Sequence, residues 1–305
     1  MKSYFDTMDP FGKSLKPGRI KRAAASATAL REIEAGIGEA VTAAHEVGFP
    51  TEKINKRGWM TVYQRLEYLV DAGTWCPLHT LYNPLENEEG TTNVVDGVGQ
   101  IDGRWAVVIG FDNKVMAGAW LPGQSENILR ATDLAARLHI PLVWLVNCSG
   151  AKLPEQEKFY ANRRGAGTPF YRHAELEQAG IPVLAGIYGT NPAGGGYQSI
   201  SPTILLAHKD ANMAVGGVGI VSGMAPKGGF DTAMVEELIA KANEFTGRPP
   251  GDVATHHDAT GFFTRVYDEE TGVLDGLKDY MRAMPAYGAT FFQAADPKDP
   301  AFPID

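Results

Sequence analysis

From Arg19 to Val47, apolar residues recur at spacings of three and four. Leu30, Ile33, Ile37 and Val41 form one stripe, the mark of an amphipathic helix. A second run, Thr61 to Ala72, sets Val62, Leu66 and Leu69 on one face, and Gly73 suits its C-terminal stop. The period then changes. Thr92 to Ile101 reads as a strand with a glycine break, Asp102-Gly103 as a hairpin turn, and Arg104 to Phe111 as the returning strand. Asn127 to Leu138 returns to helical spacing. Pro141 to Val146 is a short, wholly apolar run, the pattern of a strand covered on both faces.

The alternation continues with a helix over Pro169 to Gln178, ended by Gly180, and a buried strand over Ile181 to Tyr188. A glycine cluster and a short helix follow, then strands over Thr203 to Ala207 and Asn212 to Val215. Asp231 to Phe245 reads as another helix. Strands alternating with helices predict an α/β layered architecture. The reading is one domain over 1–305, with an arm over 1–18 and a linker or tail over 294–305 rich in Pro and Asp.

Composition narrows the function classes. The 305 residues are 44% hydrophobic and 21% charged, ordinary for a folded chain, and the net charge of −8 argues against broad nucleic-acid binding. Two cysteines, Cys76 and Cys148, make no disulfide framework, so a cytoplasmic location is expected. The N-terminus lacks the apolar core of a signal peptide, and no run of about 18 apolar residues occurs.

The chemistry-bearing places are the ends of two buried strands. One continues Asn147-Cys148-Ser149-Gly150-Ala151-Lys152; the other continues Tyr188-Gly189-Thr190-Asn191-Pro192-Ala193-Gly194-Gly195-Gly196. In open α/β sheets, ligands bind beyond the carboxyl ends of strands. One backbone N–H from each turn, aimed at one point, makes an oxyanion hole. Either turn alone is more often just a tight loop, and neither fits a phosphate-binding glycine motif.

At these turns the chain resembles a known family. TTNVVDGVGQIDGRWAVVIGFDNKVMAGAW, LVNCSGAKLPEQEKFYANRRGAGTPF, GIYGTNPAGGGYQSISPTILLAH and NMAVGGVGIVSGM resemble the carboxyltransferase (α) subunits of glutaconyl-CoA decarboxylases, biotin-dependent sodium-pumping enzymes. More broadly they resemble the acyl-CoA carboxyltransferases, which share a crotonase-type ββα-spiral fold. The resemblance implies that the N–H groups of Ala151 and Gly194 hold a thioester oxygen, with Gly150, Gly189, Gly195 and Gly196 beside them. It implies a CoA thioester as substrate, biotin on a carrier subunit as cofactor, and no metal. The family subunit is about twice as long, and its second half holds biotin. The implied partners are that C-terminal carboxyltransferase half, the biotin carrier subunit, further copies of the chain, and a membrane sodium-pump subunit that would tether the complex.

Other residues are read more openly. Lys152, Arg163 and Arg164 face CoA phosphates or the substrate's distal carboxylate, or else lie on a solvated loop. Tyr188 and Asn191 contact the acyl chain, or Tyr188 is a core aromatic. Ser149 donates near the thioester, or bonds its own turn. Adjacent histidines such as His256 and His257 would point to opposite faces of a strand, so a structural role is favoured over a metal site. Cys148 is expected to be a buried apolar thiol, and Asp268, Glu269 and Glu270 a solvated turn. Competing functions are carboxyl transfer on methylcrotonyl- or propionyl-CoA, enoyl-CoA hydration or isomerisation, and a non-catalytic CoA-binding or assembly role. Hydration needs poised carboxylates, and neither turn holds one.

Overall fold

The computed structural model describes residues 16–158, 160, 163–198, 201–214 and 251–284, with single positions between 233 and 244. The chain divides into two compact units, 1–45 and 46–305. The first is dominated by helix α1, Pro17–Glu46, which carries the predicted stripe.

The second unit is built on a sheet. Its strands are β1 (Cys76–Leu78), β2 (Val94–Ile101), β3 (Arg104–Phe111), β4 (Leu142–Val146), β5 (Val183–Ile187), β7 (Ile204–His208) and β9 (Arg265–Tyr267), in that spatial order. The first three pair antiparallel, and β3 onward pair parallel. Two further strands, β6 (Thr190–Pro192) and β8 (Asn212–Ala214), form a small parallel pair beyond the sheet. The Asp102-Gly103 turn joins β2 and β3 as predicted, with Ile101 opposite Arg104.

Side-chain alternation divides the core in two. Val107, Ile109 and Phe111 of β3, Leu142, Trp144 and Val146 of β4, and Val183, Ala185 and Ile187 of β5 face one side. That side is covered by α4 (Gln124–Leu138) and α5 (Thr168–Gln178). Val143 and Leu145 of β4 and Leu184 of β5 face the other side. There lie α3 (Val62–Leu69) and a long C-terminal helix, α8 (Glu270–Ala283), which sends Val273, Leu274, Leu277 and Met281 inward. Every residue of β4 and β5 is buried, which is why these runs contain no polar residue.

Short helices complete the unit: α2 (Thr51–Asn55), α6 (Gly194–Tyr197) and α7 (Val253–Thr260). Helix α3 begins in a capping box, Thr61 with Gln64, satisfying two otherwise free donors. The histidine pair lies on α7, not on a strand. His256 Nε2 sits 3.2 Å from the Met213 carbonyl and His257 Nδ1 3.2 Å from that of Phe263. The helix expected over 231–245 and the tail at 294–305 lie largely or wholly outside the described residues, as does most of the 1–18 arm. No helix among the described residues is long and apolar enough to cross a membrane.

Candidate active site at the ends of two parallel strands

Strands β4 and β5 are parallel neighbours, so their carboxyl ends emerge at the same edge of the sheet. The turn after β4 is stitched to residues 116–120. Ser149 donates its N–H to the Ala117 carbonyl at 3.1 Å and its hydroxyl to that of Met116 at 2.8 Å. Trp120 donates to the Gly150 carbonyl at 2.8 Å, and Lys152 donates to the Trp120 carbonyl at 3.0 Å. This makes a parallel bridge between Trp120 and Ala151. In such a bridge the flanking residues bond, and the central residue, Ala151, turns its own N–H away.

The turn after β5 is held by Asn212, which donates to the Gly189 carbonyl at 2.8 Å, and by Ala193, which donates to Ala214 at 2.7 Å. Ala193 takes φ 48° and ψ −125°, a backbone region that L-residues seldom occupy. The next two N–H groups thereby leave the small β6–β8 pair. Among the described residues, the N–H groups of Ala151, Gly194 and Gly195 have no acceptor.

The two turns touch. A side chain at Gly195 would collide with the Cys148 carbonyl, and one at Gly189 would lie 2.8 Å from the Asn147 amide. Only glycine permits either approach. A Cβ at Gly150 would rest 3.5 Å from Pro192, whereas Gly194 faces open space. Asn191 is fully buried and bonds across the turns, accepting from the Cys148 N–H at 2.8 Å. Cys148 is buried as expected, and burial pushes its thiol up to about 12. It is therefore a neutral packing group rather than a nucleophile.

Beneath the turns lies a buried polar layer that the sequence reading missed. Arg65 of α3 is fully buried and donates to Glu270 through Nε at 2.6 Å and Nη2 at 3.1 Å. It also reaches Asn147 Oδ1 from two nitrogens at 3.4 Å and stacks 4.0 Å over the Tyr188 ring. Glu270 further accepts the Met60 N–H at 3.1 Å. The expectation of a solvated Asp268–Glu270 turn is thus corrected at Glu270. Asp268 is 85% exposed, but the first turn of α8 carries Glu270 into the core, where Arg65 compensates its charge. The available signal was Arg65 itself, a charge on the inner face of α3 beside Val62, Leu66 and Leu69. Tyr188 lies in this layer, fully buried, and burial raises its phenol well above the usual range.

Most of the basic residues are already paired with carboxylates. Lys152 is bonded to Glu89 at 2.5 Å and Glu155 at 2.8 Å, and these bonds raise its ammonium above the ordinary range. Arg164 pairs with Glu126 and Asp133. Arg163 has no side-chain partner among the described residues. Arg163, Arg164 and Arg172 line a groove of about 780 Å³ with Tyr160 and Tyr171. No cluster of metal-ligating side chains occurs among the described residues.

A family model, the carboxyl transferase domain, matches residues 53–304. The chain is 52% identical, over its whole length, to the glutaconyl-CoA decarboxylase subunit alpha of Acidaminococcus fermentans, of which it covers 51%. It is 26% identical to the biotin-dependent 3-methylcrotonyl-coenzyme A carboxylase beta1 subunit of Mycobacterium tuberculosis, over 77% of this chain and 41% of that one. The chain therefore spans about half the length of the curated relatives it matches. Among solved structures, the beta subunit of geranyl-CoA carboxylase from P. aeruginosa aligns with a TM-score of 0.64 at 20% identity, covering 92% of this chain and 48% of that one. Transcarboxylase 12S aligns with a TM-score of 0.66 at 19% identity, covering 81% and 47%. These likenesses bear out the expected crotonase-like α/β fold.

Proposed function

The chain belongs to the carboxyl transferase domain family, and from that premise we propose that it is the acyl-CoA half of a biotin-dependent carboxyltransferase acting on glutaconyl-CoA. The observation that carries the reading is the pair of unpaired N–H groups, Ala151 and Gly194, on two turns that pack against each other. The 52% identity to a glutaconyl-CoA decarboxylase subunit supports the choice of substrate.

The chemistry fits a site made of backbone. Breaking the bond between the γ-carbon and the distal carboxyl of glutaconyl-CoA leaves an electron pair on that carbon. Conjugation carries the charge to the thioester oxygen as a dienolate, and a proton then completes crotonyl-CoA. Donors fixed where the negative charge develops stabilise the transition state more than the ground state. Each such donor contributes roughly 2.7–4 kcal/mol. Biotin, when present on its carrier, supplies the nitrogen that accepts the carboxyl group. Two backbone donors suit a thioester oxygen, and in this proposal biotin is bound by a partner segment. Lining by Arg163, Arg164 and Arg172 makes the 780 Å³ groove a suitable rest for the phosphates of CoA. Arg163 is the strongest candidate for that contact, because Arg164, Arg172 and Lys152 are each already paired with carboxylates.

In a complete enzyme this half works with a C-terminal carboxyltransferase half, a biotin carrier subunit and further copies of itself. A sodium-pump subunit would hold the assembly at a membrane. The test is to incubate that enzyme with glutaconyl-CoA and biotin and follow crotonyl-CoA. Crotonyl-CoA formation is expected. No product from glutaconyl-CoA, with carboxyl transfer to methylcrotonyl- or propionyl-CoA instead, would overturn the substrate assignment. For the chain alone, calorimetric titration with glutaconyl-CoA is expected to register binding, and absence of heat would favour a purely assembling role.

A further inference from the structure

Asn191 is fully buried in β6, three residues before Gly194. Its Oδ1 accepts the N–H of Cys148 at 2.8 Å, three residues before Ala151. Its Nδ2 donates to the carbonyls of Tyr188 at 2.8 Å and Gly189 at 3.2 Å, with the Asn212 carbonyl at 3.4 Å. One planar amide therefore spans the two turns, its acceptor on the first and its donors on the second. No other side chain reproduces this. Aspartate offers acceptors only and would face the carbonyls with like charge; glutamine adds a methylene in a site that has no room.

We infer that Asn191 is a positioning residue that fixes the separation and aim of the Ala151 and Gly194 N–H groups, and that it does not touch the acyl-CoA. The inference rests on the oxyanion reading of the preceding section. Three observations support it. The amide lies at 0% exposure, with both ends bonded to backbone, so no polar atom of it is left to meet a ligand. The carbonyl of Cys148, whose N–H it holds, is also the atom against which Gly195 packs. And the β4 and β5 strands end in these turns without other side-chain bonds between Cys148 and the 188–191 segment among the described residues. Loss of the amide leaves the glycine contact, the Tyr188 N–H bond to the Val146 carbonyl and each turn's own backbone bonds, but removes the side-chain bond that, among the described residues, ties the Cys148 N–H to the second turn.

The test uses this chain with crotonyl-CoA labelled with ¹³C at the thioester carbonyl. Infrared difference spectra report polarisation of that bond, and calorimetry reports affinity. In the wild-type chain the bound carbonyl stretch is expected below its frequency in free crotonyl-CoA. In Asn191→Ala the affinity is expected to stay within about fivefold, while at least half of the downshift is lost. In the complete enzyme the same variant is expected to lose turnover on the order of 100-fold with KM near wild type, as a donor misplacement of about 1 Å does. A residue of merely structural role would lower the melting temperature and leave the stretch of the folded fraction at its wild-type position; that result overturns the inference. If Asn191→Ala does not fold, Asn191→Asp keeps the size and the acceptor for Cys148 but loses both donations. A folded Asp variant with the full downshift overturns the inference as well. A wild-type chain that binds crotonyl-CoA without any downshift, or does not bind it, refutes the oxyanion reading itself, and the positioning role falls with it.

Discussion

Three consecutive glycines, Gly194, Gly195 and Gly196, have unlike environments, and their substitutions separate accordingly. Gly194 faces open space, so Gly194→Ala is expected to keep carboxyl transfer within a few-fold. Gly194→Pro suits the first position of a helix but removes the N–H. It is expected to cost roughly 100-fold or more in kcat with a small effect on acyl-CoA affinity. Unchanged turnover would remove Gly194 from the donor pair. Gly195→Ala would drive a methyl into the Cys148 carbonyl. The turns must then part, at a cost of about 1–3 kcal/mol in stability, read from denaturant midpoints. The glycine cluster is visible in the sequence as a turn. Which glycine is obligatory is not, because the atom that demands it belongs to a segment some fifty residues earlier.

At the scale of elements, the ion pair between α3 and α8 ties the outer helices to the turns. Arg65 and Glu270 are 0% and 5% exposed, so removing one partner strands the other charge in the core. Arg65→Met is expected to destabilise the chain by about 3–5 kcal/mol. The double variant Arg65→Met with Glu270→Leu is expected to cost clearly less than the sum of the two single changes, as measured by urea unfolding. Additive losses would mean that the two side chains do not act as a pair. The strands β4 and β5 were legible because burial on both faces leaves a run with no polar residue. Helix α3 was legible from its spacing. Helix α8 was not, although Val273, Leu274, Leu277 and Met281 carry a helical period. Its start lies in an acidic run that reads as a solvated turn, and only Arg65, 205 residues away in sequence, makes burial of Glu270 possible.

At the scale of the whole molecule, stability near neutral pH depends on a histidine that stays uncharged. His173 of α5 packs edge-on against Trp144 at 5.5 Å, and neither ring nitrogen has a partner among the described residues. Burial lowers its pKa from 6.5 to about 4. Between those values the unfolded chain takes up a proton that the folded chain refuses, so stability falls as pH drops from 6.5 towards 4. Asp112 opposes this trend. Burial raises it from 3.8 to about 6, so the folded chain gains stability over much of the same window. The effect of His173 is therefore isolated by comparing wild type with His173→Phe. Above pH 7 the difference in unfolding free energy is expected to be flat. Between pH 6.5 and 4 it is expected to move in favour of the variant by up to about 3 kcal/mol. A difference independent of pH would show that the imidazole titrates in the fold as it does in the unfolded chain.

The sequence by itself determined the α/β alternation, the two buried strands, their glycine-bearing exits, and through its motifs the family to which the turns belong. These are local properties: burial on both faces and tight turns each select residue types within a few positions. Only the tertiary structure decided how the exits meet. It placed Asn191 between them, put Gly195 against Cys148, spent Lys152 on Glu89 and Glu155, and carried Glu270 inward to Arg65. Each of these depends on partners tens to hundreds of residues apart, brought together by the parallel pairing of β4 and β5 and the packing of α3 on α8. A buried amide or carboxylate is stable only where such a partner awaits it, and one segment of sequence carries no record of what another segment will bring.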